Sequence, residues 1–120
     1  MSLSEILTEC LSSTDQIRNS AEKKVDEIAT QNFPYLMQEC AVLLADESVQ
    51  KESRQLCATL IKNMICFNGR HKGKWEQMDV SQKKNVKKYV LSCLASNNKD
   101  IRKAAGMTVA GKGNISLVIM

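Results

Sequence analysis

Apolar residues recur along this chain at helical spacing, and short polar or proline-containing corners interrupt them. Leu3, Ile6, Leu7, Cys10 and Leu11 mark a first helix with Ser2 as its cap. Ser13, Thr14 and Asp15 break it. Any of the three suits a cap for the next helix, and Ser13 with Gln16 has capping-box spacing. That second helix carries Ile17, Ala21, Val25, Ile28 and Ala29 on one stripe. Phe33-Pro34 opens a third, because proline suits a first helical turn and not an interior; its stripe is Leu36, Met37, Cys40, Leu43 and Leu44. After Asp46, Glu47 and Ser48, a fourth stripe pairs Leu56-Cys57, Leu60-Ile61 and Met64-Ile65, wide enough for a helix packed between neighbours. Asn68-Gly69 supplies its stop.

Residues 70–78 read as a basic linker around Trp75. A fifth helix opens near Asp79 or Ser81, with Asp79 and Gln82 at box spacing. Val86, Tyr89, Val90, Cys93 and Leu94 face inward, and Lys83, Lys84, Lys87 and Lys88 lie largely elsewhere. Asn97, Asn98 and Asp100 close it and cap a sixth helix carrying Ile101, Ala104, Ala105 and Val109. Gly106, Gly111 and Gly113 weaken that helix, by about 1 kcal/mol each where they fall in its interior. The corners are short, so consecutive helices pack antiparallel. Three hairpins result, over about residues 3–31, 33–68 and 79–112. An internal repeat supports the division. Arg18, Ala21 and Val25 match Arg54, Cys57 and Ile61, and both match Arg102, Ala105 and Val109. In each second helix an arginine precedes a small residue that permits close helix approach and a β-branched one that fills the layer between hairpins. The expected architecture is an all-α superhelix.

Composition agrees: aromatic residues make up only 4% of the chain, which disfavours strand cores. No stretch is long and apolar enough to span a bilayer, and the N-terminus lacks signal-peptide regions, so the expected address is cytoplasmic or nuclear. Cys10, Cys40, Cys57, Cys66 and Cys93 fall in step with the stripes as reduced packing residues; none forms a CxxC pair, and His71 is the only histidine, so no metal site is expected. Charge is uneven. Residues 1–69 hold six Lys or Arg against ten Asp or Glu, and residues 70–120 hold eleven against three. A solvated helix face accounts for the basic half better than nucleic acid does, since Trp75 is the only tryptophan among Arg70, His71, Lys72 and Lys74. There is no nucleophile motif, phosphate loop or cofactor signature, which leaves a binding protein rather than an enzyme.

The pattern of Asp, a short gap, Ile-Arg and then Ala at the start of second helices resembles the HEAT repeat. Asn32-Phe33-Pro34, Glu39 and Val42-Leu43-Leu44-Ala45 are similar to the second repeat of the importin-β family of nuclear transport receptors, and Arg54 leading into Leu60-Ile61-Lys62-Asn63 to its inner helix. Lys74-Trp75, Met78-Asp79 and Val86-Lys87-Lys88-Tyr89-Val90-Leu91, then Leu94, resemble the linker and outer helix of the third. The likeness runs to about Ala110. It implies a receptor that carries cargo through nuclear pores, moving between cytoplasm and nucleus, whose first inner helices dock the GTPase Ran in its GTP state. Lys62 and Asn63 match the family's motif directly. Lys23, Arg54 and Arg102 are added from their place on the presumed concave face, where they are expected to be exposed. Cargo, importin-α-like adaptors and nucleoporins would bind further repeats that this sequence lacks. The end from Lys112 departs from the pattern: its apolar Leu117-Val118-Ile119-Met120 is the start of a next outer helix or a terminus that packs against something. The other reading is a HEAT-repeat scaffold that binds a different acidic protein through its basic half.

Overall fold

A computed structural model describes residues 2–65, 71 and 73–110 of the chain. Cys66, the Asn68-Gly69 stop, Arg70, Lys72 and the tail from Gly111 lie outside the described residues. Seven α-helices occur among those described: α1 (Leu3–Cys10), α2 (Asp15–Gln31), α3 (Phe33–Ala45), α4 (Lys51–Ile65), α5 (Lys74–Gln77), α6 (Val80–Ser92) and α7 (Lys99–Ala110). A 3-10 turn over Cys93–Ala95 follows α6. The helices pack as antiparallel neighbours: α1 on α2, α3 on α4, and α6 with its 3-10 turn on α7. Outer helix α3 also lies along α6, and inner helix α4 along α7, which gives two layers.

Most helix starts are closed by the side chains the sequence offers. The Ser2 hydroxyl accepts from the Glu5 N–H at 3.2 Å. Asn32 Oδ1 accepts from Tyr35 N at 3.3 Å, with Pro34 in the first turn of α3. Asp79 and Gln82 form the reciprocal box at the start of α6, and Asn98 Oδ1 takes the N–H groups of Asp100 and Ile101. The expected Ser13–Gln16 box is not made. Thr14 is the N-cap residue without a side-chain bond, and Ser12 closes the corner instead by accepting from Thr14 N at 3.1 Å.

The core is one cluster. Leu7, Ala21, Leu36, Met37, Cys40, Leu44, Cys57, Ile61, Val86, Val90, Ile101 and Ala105 are all buried in it. The repeat positions serve the roles their sizes suggest. Ala21, Cys57 and Ala105 each lose all solvent contact where helices approach closely, and Val25 and Ile61 fill the layers beside them. Thr108 is equally buried and is satisfied by the carbonyls of Ala104 and Ala58, which ties α7 to α4.

The arginine that opens each repeat motif has a common task. Arg18 donates to the Ser12 carbonyl at 3.2 Å, Arg54 to the Leu44 carbonyl at 2.8 Å, and Arg102 to the Ser96 carbonyl at 2.7 Å. Each acceptor sits at or just past the end of the preceding outer helix or 3-10 turn, where carbonyls lack an intrahelical partner. Each inner helix thus reaches back and closes its outer partner. Arg54 is the buried member, at 6% exposure, and this corrects the expectation that it is exposed on a concave face. Its length lets the guanidinium travel inward and still be satisfied.

Other positions also differ from the sequence reading. Ile17, Leu11 and Leu94 are exposed, because they sit at corners or helix ends beyond the last core layer. Lys87 is buried at 3% exposure, beside Val86 and Val90, and its Nζ has no hydrogen-bond partner among the described residues. Burial first, and the charges of Lys83 and Lys84 second, hold its amine below the usual lysine range. The supposed linker is packed rather than loose. Trp75 and Met78 are buried. Lys74 Nζ donates to the Ala29 carbonyl near the end of α2, and Lys83 Nζ to the Glu76 carbonyl. His71, also buried, meets Asp26 at 2.9 Å and lies tilted against the Phe33 ring. A buried Trp75 offers no face for stacking bases.

Four substitutions have expected outcomes in urea unfolding. Arg54→Met should destabilise the chain by about 2 kcal/mol, since a buried carbonyl loses a charged donor, and Arg102→Met by well under ~1 kcal/mol because it is exposed. Lys87→Met should stabilise it by about 1–3 kcal/mol by removing a buried unpaired amine. With the folded-state pKa below the unfolded one, the parent regains stability as pH rises past the folded value, so this gain should shrink in alkaline buffer. Gly106, inside α7 with open space where a Cβ would stand, should yield about 1 kcal/mol on replacement by Ala.

Candidate partner-binding face

The inner helices α2, α4 and α7 present the surface on which the sequence placed its candidate contacts. Their order follows from the packing: α4 lies in the middle, closely against α7, while α2 meets α4 only sparsely. The wide apolar stripe of α4 therefore has two destinations. Cys57, Ile61 and Ile65 enter the core, whereas Leu56, Leu60 and Met64 remain half-buried on the flank towards α2. Thr59 stands exposed between the two flanks.

A groove of about 310 Å³ runs between α4 and α7. Ala58, Ala104 and Thr108 form its floor, Gln55 and Thr59 one wall, and Lys62, Lys103 and Met107 the remaining rim. Met107 is 53% exposed. Asp100 also borders the groove, but Lys51 pairs with it at 3.0 Å. That hydrogen bond, with its charge, pulls the Asp100 carboxyl below the usual range and lifts the Lys51 amine. Lys62 and Lys103 are the groove's cations outside that ion pair, with Lys103 also acting on Asp100 through its charge, and the groove favours an acidic side chain.

On the other flank of α4 lies a cleft of about 290 Å³ between α2 and α4. Val25, Leu56, Leu60 and Met64 supply apolar lining, and Glu22 and Asp26 are the only charges in it among the described residues. Cys10 lies in this lining; burial, then Glu22 and Glu9, hold its thiol above the usual range. The two depressions share Thr59 and differ in sign.

The five sequence candidates separate accordingly. Lys62 borders the α4–α7 groove, and Asn63, its exposed neighbour, lines the α2–α4 cleft. Lys23 lies exposed on α2 beside Asn19, Glu22, Asp26 and Glu27, lining neither. Arg54 is withdrawn into the core, and Arg102 is exposed with one arm committed to Ser96. Lys103 and Met107 were missed. Their spacing of four along α7, off the Ile101–Ala105 stripe, was the available signal. Among the described residues no cluster of three or more His, Cys, Asp or Glu is arranged to hold a metal ion, and no helix is long and apolar enough to cross a membrane.

This arrangement has close counterparts in known proteins. The curated importin subunit beta-1 of Arabidopsis thaliana is 24% identical over 122 residues, covering 98% of this chain and 14% of the relative. The chain therefore spans about one-seventh of that protein's length. Among solved structures, yeast importin-beta (Kap95p) superposes with a TM-score of 0.83 at 25% identity, over 96% of this chain and 14% of its own. A Kap95 complex with Nup1 gives 0.83 at 26%, over 98% and 15%. A third, in which Kap95p binding drives the switch loops of RanGDP to the GTP-bound conformation, gives 0.81 at 24%, over 93% and 14%, and shares the fold. With these neighbours the all-α layers are those of an α-α superhelix. The family model for the importin-beta N-terminal domain matches residues 21–96, more than half of the chain, and the chain belongs to that family.

Proposed function

We propose that this chain is the N-terminal part of an importin-β-type nuclear import receptor, not an enzyme, and that its inner face docks a Ran-type GTPase in the GTP state. The observation that carries the reading is the α4–α7 groove, where Lys62 and Lys103 border an otherwise small-residue floor. Two amines on one rim suit an acidic patch of a folded partner, and the groove's shallow walls suit a protein surface better than a small molecule. Family membership supplies the partner class, and Kap95p was solved with Ran and with Nup1. Lys62 remains the leading contact and Lys103 joins it. Asn63 contributes from the neighbouring flank, Lys23 and the exposed arm of Arg102 from the periphery, and Arg54 acts only as internal support. Cargo, adaptor and nucleoporin binding belong to further repeats, and the working address is cytoplasm, nucleus and the pore between them.

The scaffold alternative rests on the basic half of the chain, in which Lys83, Lys84, Lys87 and Lys88 would supply one face. Lys87 is buried and Lys83 closes α5, so half of that face is committed internally.

Surface-immobilised Ran loaded with a GTP analogue or with GDP tests the proposal directly. The chain is expected to prefer the GTP form, and Lys62→Glu or Lys103→Glu to weaken that binding about tenfold or more with little change in stability. Equal binding of both nucleotide states, or full binding by both variants, would refute it.

A further inference from the structure

The α2–α4 cleft differs from the groove beside it in both lining and sign, and the GTPase reading makes no use of its floor. Leu56, Leu60 and Met64 form a half-buried row along α4, one helical turn apart, and Val25 backs them from α2. The volume of about 290 Å³ is of the order needed for one or two large aliphatic or aromatic side chains. Glu22 and Asp26 stand one turn apart on the α2 rim, and among the described residues no cation lines the cleft. The adjoining surface of α2 adds Glu27 against Lys23 alone. Part of Asp26 is engaged by His71, which leaves the exposed Glu22 as the leading anchor.

We propose that the α2–α4 cleft docks an extended or helical partner segment in which one large apolar residue is flanked by arginine or lysine. The apolar side chain enters between Val25 and Leu60, and a flanking cation meets Glu22 at the rim. This goes beyond the GTPase reading and does not depend on it. Two carboxylates would repel an acidic segment, and a purely basic one would leave the apolar floor uncovered, so both features are required.

The test is fluorescence anisotropy of the full chain with a labelled Gly/Ser peptide bearing a single leucine between arginine pairs. Saturable binding is expected, with the leucine-to-serine peptide about tenfold weaker or worse. Glu22→Lys, an exposed substitution, should weaken binding about tenfold, and Asn63→Trp, which fills the cleft mouth, should do the same. Glu47→Lys makes the same charge change at the distant, exposed α3–α4 corner and should alter affinity less than about twofold. Circular dichroism confirms that each variant folds. Amide NMR shifts on the parent chain should move along α2 and the Leu60 flank of α4, and not around Lys103. No saturable binding by the folded chain, equal affinity for the two peptides, equal losses from Glu22→Lys and Glu47→Lys, or shifts centred on α7 would each overturn the proposal. Loss of GTPase binding in Lys62→Glu with peptide binding intact would show that the two sites stand or fall separately.

Discussion

The Leu44 carbonyl, at the end of α3, holds the middle of this fold together. Arg54 donates to it from α4 at 2.8 Å, and the Cys93 thiol approaches it from the end of α6 at 3.7 Å. One terminal acceptor thus joins the outer helix of the second hairpin, its inner helix and the outer helix that follows. A buried carbonyl without a donor would cost about 1–3 kcal/mol, so the site penalises any slip of α4 along α3. The antiparallel register set there carries Cys57 to the level of Cys40. The hydrogen bond that the Cys40 thiol makes to Cys57, then burial, holds that thiol well above its usual range. The same logic repeats more weakly at Arg18 and Arg102, whose acceptors lie nearer solvent.

A fixed α4 decides what the inner surface offers. Its buried residues point into the core, Lys62 turns towards α7, and Asn63 with Leu60 turns towards α2. Small residues at Ala58 and Ala104 let α4 and α7 approach closely, and Thr108 bonds across them. Long apolar residues at Leu56, Leu60 and Met64 hold α2 off. Side-chain volume at a few positions therefore separates a basic groove from an acidic cleft.

Much of this was readable from residue order. The stripes and corners gave the six principal helices, and the spacing of Asp79 with Gln82 gave a cap that forms. The recurrence of arginine, small and β-branched residues revealed equivalent helices, although not what the arginine does. Exposure of long charged side chains was the weak point. Arg54 and Lys87 both lie next to an apolar stripe, and only the neighbouring helices decide whether such a stem is covered. Packing of the Trp75 segment could not be read either, because its anchors, Ala29 and Asp26, lie far away in sequence. Nor could the cleft, which is a gap between α2 and α4 rather than a property of either.

The unequal spacing of the inner helices also has a mechanical side. Between α4 and α7, the Thr108 bond, the Lys51–Asp100 pair and close contact of small residues resist both shear and opening. α2 is fastened differently: Asp26 meets His71 and the Ala29 carbonyl takes Lys74 Nζ, both on the segment that follows α4. The second and third hairpins are bonded face to face, whereas the first is strapped to them through the Trp75 segment.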